Sequence, residues 1–204
     1  MIANAIFSLG FASALAYQCI LRAPVSALRS VLKTASLGCV GIALWLDGAA
    51  ALPLLALALS VFGDFALSRE GDRWFLAGLG GFLLAHVVYA ALFWGLFSAP
   101  DLRWEMVAAI VILAASTPLW LLPRTGALRG PVLAYILTIS GMGILAGGLP
   151  PEAYFIVWGA ALFIGSDAFL ALNLFVASDR AIFAYLVWPL YVVGQVLIQI
   201  GLLA

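Results

Sequence analysis

The stretch from Ala56 to Ser68 reads ALALSVFGDFALS and places one carboxylate, Asp64, inside an otherwise apolar segment. A second stretch, ALFIGSDAFLALN from 161 to 173, does the same with Asp167. Long apolar segments are typical of membrane-spanning helices. An ionisable group in such a helix costs roughly 2.5 to 3.5 kcal/mol, so it normally faces a bundle interior or a water-filled cavity and indicates function. The two stretches therefore predict both a class of fold and a candidate site.

The whole chain has the composition of a membrane protein. Of its 204 residues, 66% are hydrophobic and 9% are charged, and the mean hydropathy is +1.20. We expect an all-α polytopic membrane protein that forms one transmembrane domain over residues 1–204. The formal net charge is zero and there is no basic block, so we expect no nucleic-acid partner. Both cysteines, Cys19 and Cys39, lie in apolar runs and are interpreted as packing residues.

Charges and Pro/Gly clusters divide the chain into about eight apolar segments. A helical crossing of the bilayer takes about 20 residues. The predicted crossings are 2–21, 31–46, 50–68, 74–97, 104–122, 131–148, 152–175 and 181–203. The second and sixth are the short ones in this division. Since every loop is brief, we expect the chemistry to lie among the helices.

The distribution of Lys and Arg predicts the orientation of these helices. Only Arg103 falls in an even-numbered loop. The odd-numbered loops and their edges hold the other eight basic residues: Arg22, Arg29, Lys33, Arg69, Arg73, Arg124, Arg129 and Arg180. Because basic residues accumulate on the cytoplasmic side, we expect cytoplasmic odd loops and both termini outside. The expected location is a bacterial inner (cell) membrane.

The two acidic stretches also indicate a parallel duplication of a four-helix unit. Aligning Asp64 on Asp167 matches Ala58 with Ala161, Leu59 with Leu162 and Leu67 with Leu170. Four helices separate the two acids, so both helices run in the same direction, as a parallel repeat requires.

Each acid has a plain reading beside the functional one. Asp64 lies five residues before Arg69 and could reach cytoplasmic water, although a carboxylate in the last turn meets the negative end of the helix dipole. Asp167 is deeper, and neighbouring hydroxyls could satisfy it for packing alone. Two acids on helices of equal direction favour a shared site, in which one carboxylate is protonated and the other ionised. Such a pair is suited to acid/base catalysis.

Polar residues on other helices complete the candidate site. His86 lies near mid-membrane with Tyr89 one turn later, and a catalytic role and a hydrogen-bonded packing role both stay open. One His with two Asp makes a poor ligand set, so we expect no metal and no cofactor.

The last segment carries a polar stripe, and the second carries a lysine. The stripe consists of Tyr185, Trp188, Tyr191, Gln195 and Gln199. The depth of Gln195 in the helix favours a substrate contact. Tyr185 could instead be an interfacial belt residue, and Gln199 could serve interhelical packing. Lys33 either reaches the cytoplasmic surface or binds a phosphate.

These pieces together resemble the YhhN family of lysoplasmalogenases. The resemblance is carried by FGDFALS (62–68), GLGGFLLAHVVYAALF (78–93), the Asp167 stretch and the region of Tyr185 and Gln195. It implies hydrolysis of the vinyl ether bond of a lysoplasmalogen to a fatty aldehyde and glycerophosphoethanolamine or glycerophosphocholine. The implied catalytic residues are Asp64, Asp167 and His86, and the implied partners are a lysophospholipid, water and membrane lipids.

The chemistry of this bond fits two carboxylates. A vinyl ether hydrolyses when its outer carbon is protonated, which generates an oxocarbenium ion that water captures. An acid and a negative stabiliser are needed, as in glycoside hydrolysis. Two alternatives stay open: a small transporter or lipid-binding protein that uses the aspartates as a proton or cation relay, and a lipid hydrolase acting on an ester or amide.

Overall fold

The computed structural model describes residues 1–177 and 180–203, and this part of the chain contains eight long helices and no strand. The helices are α1 (Ile2–Cys19), α2 (Ala27–Leu46), α3 (Ala51–Leu67), α4 (Asp72–Leu96), α5 (Trp104–Leu121), α6 (Arg129–Gly147), α7 (Tyr154–Phe175) and α8 (Ala181–Leu203). Among the described residues, all of these helices except α3 are long and apolar enough to cross a membrane. The prediction of an all-α polytopic membrane protein is confirmed.

The helix lengths correct one detail of the predicted segments. Helix α2 begins at Ala27, earlier than expected, because the Ser26 hydroxyl accepts a hydrogen bond of 3.2 Å from the N–H of Arg29 and caps the helix. With 20 residues α2 is not short, and α6 has 19. The shortest of these eight helices is α3, whose 17 residues span about 26 Å. Lys33 consequently lies nearly two turns inside α2 and does not open it.

The chain divides into two compact units, residues 1–88 and 89–204. The first contains α1 to α3 and α4 as far as Val88, and the second contains the rest of α4 and α5 to α8. The boundary falls inside α4, whereas the proposed repeat would place it after that helix. The parallel duplication and the single domain both stay predictions.

Small residues allow close helix contacts in the first unit. A methyl group at Gly10 of α1 would lie 2.6 Å from the carbonyl oxygen of Ser36 on α2. A methyl group at Gly63 of α3 would lie 2.7 Å from the Phe82 ring on α4. A side chain at Gly10 would force the two backbones apart, and one at Gly63 would displace the Phe82 ring, so both glycines allow the close packing typical of membrane helices. Since Gly63 immediately precedes Asp64, the α3–α4 contact fixes the turn that carries this acid.

In the second unit α7 and α8 approach each other through glycines. A methyl group on Gly159 would lie 2.7 Å from the Gly194 carbonyl oxygen, and one on Gly194 would lie 2.9 Å from the Gly159 carbonyl oxygen. The Ser166 hydroxyl adds a hydrogen bond of 2.9 Å to the carbonyl oxygen of Val187. Asp167 follows Ser166, so its position on α7 is set by the same interface.

Arg103 binds the C-terminal end of α6 in the second unit. Its side-chain Nη1 donates to the carbonyl oxygen of Leu149 at 2.7 Å, and its backbone N–H donates to that of Gly147 at 2.8 Å. These bonds satisfy carbonyl groups left at the C-terminal end of α6, which a membrane helix end requires. The basic residue that the charge count isolated therefore closes a helix end.

Candidate active site

Asp64 lies in the last turn of α3, as predicted, and forms an ion pair with Lys33. Lys33 Nζ is 3.4 Å from Asp64 Oδ1, and the side chains are 13% and 2% exposed. Lys33 is six residues into α2, about 9 Å along the helix. A buried carboxylate is costly unless a cation or hydrogen bonds compensate it. The structure thus brings together two residues that the sequence singled out separately.

Two buried serines hold α2 and α3 together beside this ion pair. The Ser68 hydroxyl donates to the Ser30 hydroxyl at 2.9 Å, and both residues are buried. Ser68 ends α3, and its N–H donates to the carbonyl oxygen of Asp64 at 3.1 Å. Because Ser30 lies one turn before Lys33 on α2, this bond sets the register in which the ammonium meets the carboxylate.

His86 is fully buried on α4, near the middle of that helix, as the sequence indicated. Its Nδ1 lies 2.6 Å from the carbonyl oxygen of Phe82. A carbonyl oxygen can only accept, so Nδ1 carries the proton and donates it, which makes Nε2 the basic nitrogen of the neutral ring. Phe82 also contacts Gly63, so the turn of α4 that orients His86 packs against the turn of α3 that carries Asp64.

Asp167 lies on α7 and is bound by a residue that the sequence did not single out. The Tyr135 hydroxyl on α6 donates to Asp167 Oδ2 at 2.5 Å, and both residues are half-buried. A lone tyrosine six residues after Arg129 has the signature of an interfacial belt residue. Only the packing of α6 on α7 distinguishes it from one, so sequence patterns carried no usable signal for Tyr135.

A second hydrogen-bonded group joins α4 and α8 within the second unit. The Tyr89 hydroxyl donates to Gln195 Oε1 at 2.6 Å and accepts from Gln199 Nε2 at 2.9 Å. All three side chains are buried. The predicted inward-facing stripe of α8 is present, since Trp188 and Tyr191 are buried too, while Tyr185 is 40% exposed. Tyr89, Gln195 and Gln199 thus form a hydrogen-bonded network of neutral groups.

Among the residues that the structure describes, no three His, Cys, Asp or Glu side chains lie close enough together to hold a metal ion. The arrangement is instead two carboxylates with different donors, an ammonium for Asp64 and a phenol for Asp167. The first pair belongs to the first unit and the second pair to the second. Such donors can maintain an intramembrane carboxylate as an anion or orient it for proton transfer.

These features define a polytopic helical membrane protein with buried acidic residues, and comparison with known proteins specifies it further. The chain belongs to the YhhN family, whose model matches residues 28–202. This match confirms the family that the acidic stretches and the His86 segment indicated.

Two curated relatives bear the name lysoplasmalogenase. One is from Mycobacterium bovis and the other from Mycobacterium tuberculosis, and each is 32% identical to this chain over 157 residues. Each match covers 72% of this chain and 58% of the relative, so the chain spans less than two thirds of these proteins. No solved structure matches the chain significantly.

Proposed function

We propose that this protein is an intramembrane hydrolase that cleaves the vinyl ether bond of lysoplasmalogens. The products are a fatty aldehyde and glycerophosphoethanolamine or glycerophosphocholine. The relatives named lysoplasmalogenase support this activity, since they are 32% identical over most of this chain. The single observation that carries the mechanism is that the two intramembrane carboxylates have unlike partners, Lys33 and Tyr135.

We assign Asp64 the role of the negative stabiliser. Its ion pair with the Lys33 ammonium favours the carboxylate form. A carboxylate held in a low-dielectric environment interacts strongly with a developing cation. The oxocarbenium ion formed from a vinyl ether is such a cation, so Asp64 stabilises it in this scheme without taking up its proton.

We assign Asp167 the role of the proton donor. Its partner is a neutral hydroxyl, which can bond to a protonated carboxyl group as well as to a carboxylate. General acid catalysis of this kind contributes about 10²- to 10⁴-fold. His86 is the third proposed catalytic residue, because its Nδ1–H orientation makes Nε2 a base for the attacking water.

The proposed substrate contacts differ in their exposure. Tyr185 is exposed and the Lys33 side chain is 13% exposed, and the Lys33 ammonium suits the lipid phosphate. Tyr89 and Gln195 are fully buried and bonded to each other. We therefore expect them to act on the substrate through this hydrogen-bonded network. We propose no metal and no cofactor, because proton transfer and water addition complete the reaction.

The direct test compares a lysoplasmenyl lipid with its saturated ether analogue. Purified protein should release aldehyde from the first and bind the second without cleavage, since a saturated ether has no carbon that can accept a proton to give an oxygen-stabilised cation. In heavy water, one deuterium should appear on the carbon next to the aldehyde, which rapid reduction preserves for mass spectrometry. In ¹⁸O water, the glycerol oxygen should stay unlabelled.

Other outcomes would replace this mechanism. Cleavage of the saturated ether, or ¹⁸O in the glycerol oxygen, rules out acid-catalysed opening of a vinyl ether. Hydrolysis of an ester or amide lysolipid alone favours the other class of lipid hydrolase. Proton or cation flux in liposomes without any aldehyde favours the transporter. Complete loss of activity on addition of a chelator would indicate a metal centre.

We also propose that the odd loops are cytoplasmic and both termini lie outside a bacterial inner membrane. The eight-to-one distribution of Lys and Arg supports this orientation. A reporter fused after the C-terminus should be active only outside, whereas a reporter in the loop between α3 and α4 should be active only in the cytoplasm. A cytoplasmic C-terminal reporter would reverse the orientation.

A further inference from the structure

The bond between Tyr135 and Asp167 is short and joins neighbouring helices. The hydroxyl lies 2.5 Å from Oδ2, at the short end of the range of O–H···O hydrogen bonds. Tyr135 is six residues from the start of α6, about 9 Å, and Asp167 is eight residues from the end of α7, about 12 Å. Because α6 and α7 are antiparallel, the start of α6 lies beside the end of α7, and the two groups meet at similar depth.

We infer that Tyr135 is a positioning residue for the proton-transfer step, an inference that rests on the proposed hydrolase function. Its hydroxyl fixes Oδ2 of Asp167, so that Oδ1 is the oxygen that carries the transferred proton. The bond also strengthens as Asp167 loses that proton, since hydrogen bonds to ionised acceptors are roughly twice as strong as neutral ones. Stabilisation that grows along the reaction lowers the barrier.

The proposed proton transfer begins at Oδ1 of Asp167. The O–H bond at Oδ1 breaks as the electron pair of the carbon–carbon double bond forms a C–H bond at the outer vinyl carbon. The ether oxygen then shares its electrons with the neighbouring carbon as an oxocarbenium ion, and Asp167 becomes a carboxylate that accepts from Tyr135. Water adds to the cationic carbon and loses its proton to Nε2 of His86, which returns it to solvent, and a proton from solvent restores Asp167. Collapse of the hemiacetal gives the aldehyde and the glycerol hydroxyl.

The bond to Tyr135 suits this task because a phenol has few freely rotating bonds and lies in a low-dielectric environment. Only two side-chain torsions position the hydroxyl, and α6 fixes the backbone. Hydrogen bonds are electrostatically stronger inside a protein than in water. A lysine at this place would instead bring a full charge, as Lys33 does for Asp64, and would oppose protonation of the carboxylate.

Tyr135→Phe tests this inference, with Tyr154→Phe as the matched control. Both changes delete one phenolic oxygen, but Tyr154 is exposed at the start of α7, where its ring contacts the Phe155 ring at a tilted angle. We expect kcat for the lysoplasmenyl lipid to fall about 10- to 100-fold in Tyr135→Phe, the loss expected for a hydrogen bond to a charged group. KM should stay within about twofold in both variants, because substrate binding precedes the step.

Infrared spectroscopy of protein labelled with ¹³C-aspartate supplies a readout that needs no turnover. The band of Asp167 is assigned by its absence in Asp167→Asn. It should shift in Tyr135→Phe and stay in place in Tyr154→Phe, because only the first variant loses the bond to the carboxyl group. A Tyr135 that serves only to hold α6 against α7 would change thermal stability but would leave kcat unchanged.

The outcomes separate the inference from the proposed function. Wild-type kcat in Tyr135→Phe, or an unshifted Asp167 band, overturns the inference. A loss expressed in KM alone overturns it as well, since that result assigns Tyr135 to substrate binding. If the wild-type protein releases no aldehyde while the band shifts, the proposed function fails and the contact between Tyr135 and Asp167 stands.

Discussion

The two intramembrane acids occupy similar sequence contexts but different environments. In the first unit, Asp64 is 1% exposed and faces the Lys33 ammonium at 3.4 Å. In the second, Asp167 is half-buried and accepts from the Tyr135 hydroxyl at 2.5 Å. The second unit also contains a hydrogen-bonded network without any charged group, formed by Tyr89, Gln195 and Gln199.

The difference shows that a residue type alone does not define its chemical role. An ammonium favours one protonation state of its partner, whereas a hydroxyl accommodates both. This contrast underlies the assignment of Asp64 as stabiliser and Asp167 as proton donor. Substitutions of the acids and of their partners test this contrast.

Replacing either acid by its amide should have the largest effect. Asp64→Asn and Asp167→Asn keep the side-chain size but remove the charge and the proton, so each should lower kcat by about 10²-fold or more. Asp64→Asn should also lower the thermal unfolding temperature further than Asp167→Asn, because it leaves Lys33 without its carboxylate in a mostly buried position. Aldehyde release and unfolding in detergent measure the two effects. Near-normal turnover in either variant would make that carboxylate structural.

Removal of the Lys33 ammonium should destabilise the first unit. Lys33→Met leaves the Asp64 carboxylate buried without its cation, which typically costs about 3 to 5 kcal/mol. The double variant Lys33→Met, Asp64→Asn removes both charges and should recover much of that stability, as a double-mutant cycle reveals. Lys33→Arg serves as the control that keeps the charge. A loss in the double variant equal to the sum of the losses in Lys33→Met and Asp64→Asn would show that the ion pair is energetically unimportant.

Loss of the Tyr89 hydroxyl should have a smaller effect, chiefly on stability, because Tyr89 and Gln195 are bonded to each other. Tyr89→Phe removes the donor to Gln195 and the acceptor for Gln199, at about 1 to 3 kcal/mol for buried groups that lose a partner. KM for the lysolipid should remain unchanged if the network only joins α4 and α8. A large rise in KM with normal unfolding would instead identify Tyr89 as a substrate contact.

His86→Gln should have the smallest effect among changes to the three proposed catalytic residues. The amide can still donate to the Phe82 carbonyl oxygen but supplies no basic nitrogen, so kcat should fall by about tenfold, below the effect of losing either acid. His86→Phe provides the comparison that also loses the donor. If His86→Gln abolished turnover as completely as Asp64→Asn, the histidine would share the main catalytic role.

Local sequence patterns were sufficient to predict the class of fold and the helices that carry the acids. A bilayer imposes a local requirement, about 20 apolar residues per helix, which can be read from consecutive residues. All eight predicted segments are helical in the part of the chain that the structure describes, and all of these helices except α3 are long and apolar enough to cross a membrane. The depth of His86 and the inward stripe of α8 were also predictable, because helical periodicity is local. The error at α2 arose from the Ser26 cap, since a helix start depends on a single hydrogen bond.

The residue that binds each acid depends instead on how the helices pack. Lys33 was identifiable as a lysine near a helix start, and Tyr135 as a tyrosine near another, but neither pattern names a partner. Successive helix positions differ by about 100° in direction, so a small change in helix rotation would turn either side chain away from its acid. The rotations are set by close contacts such as Gly63 with Phe82 and Gly159 with Gly194. These contacts join residues distant in sequence, and for that physical reason the ion pair of Asp64 and the phenol bond of Asp167 emerged only from the packed helices.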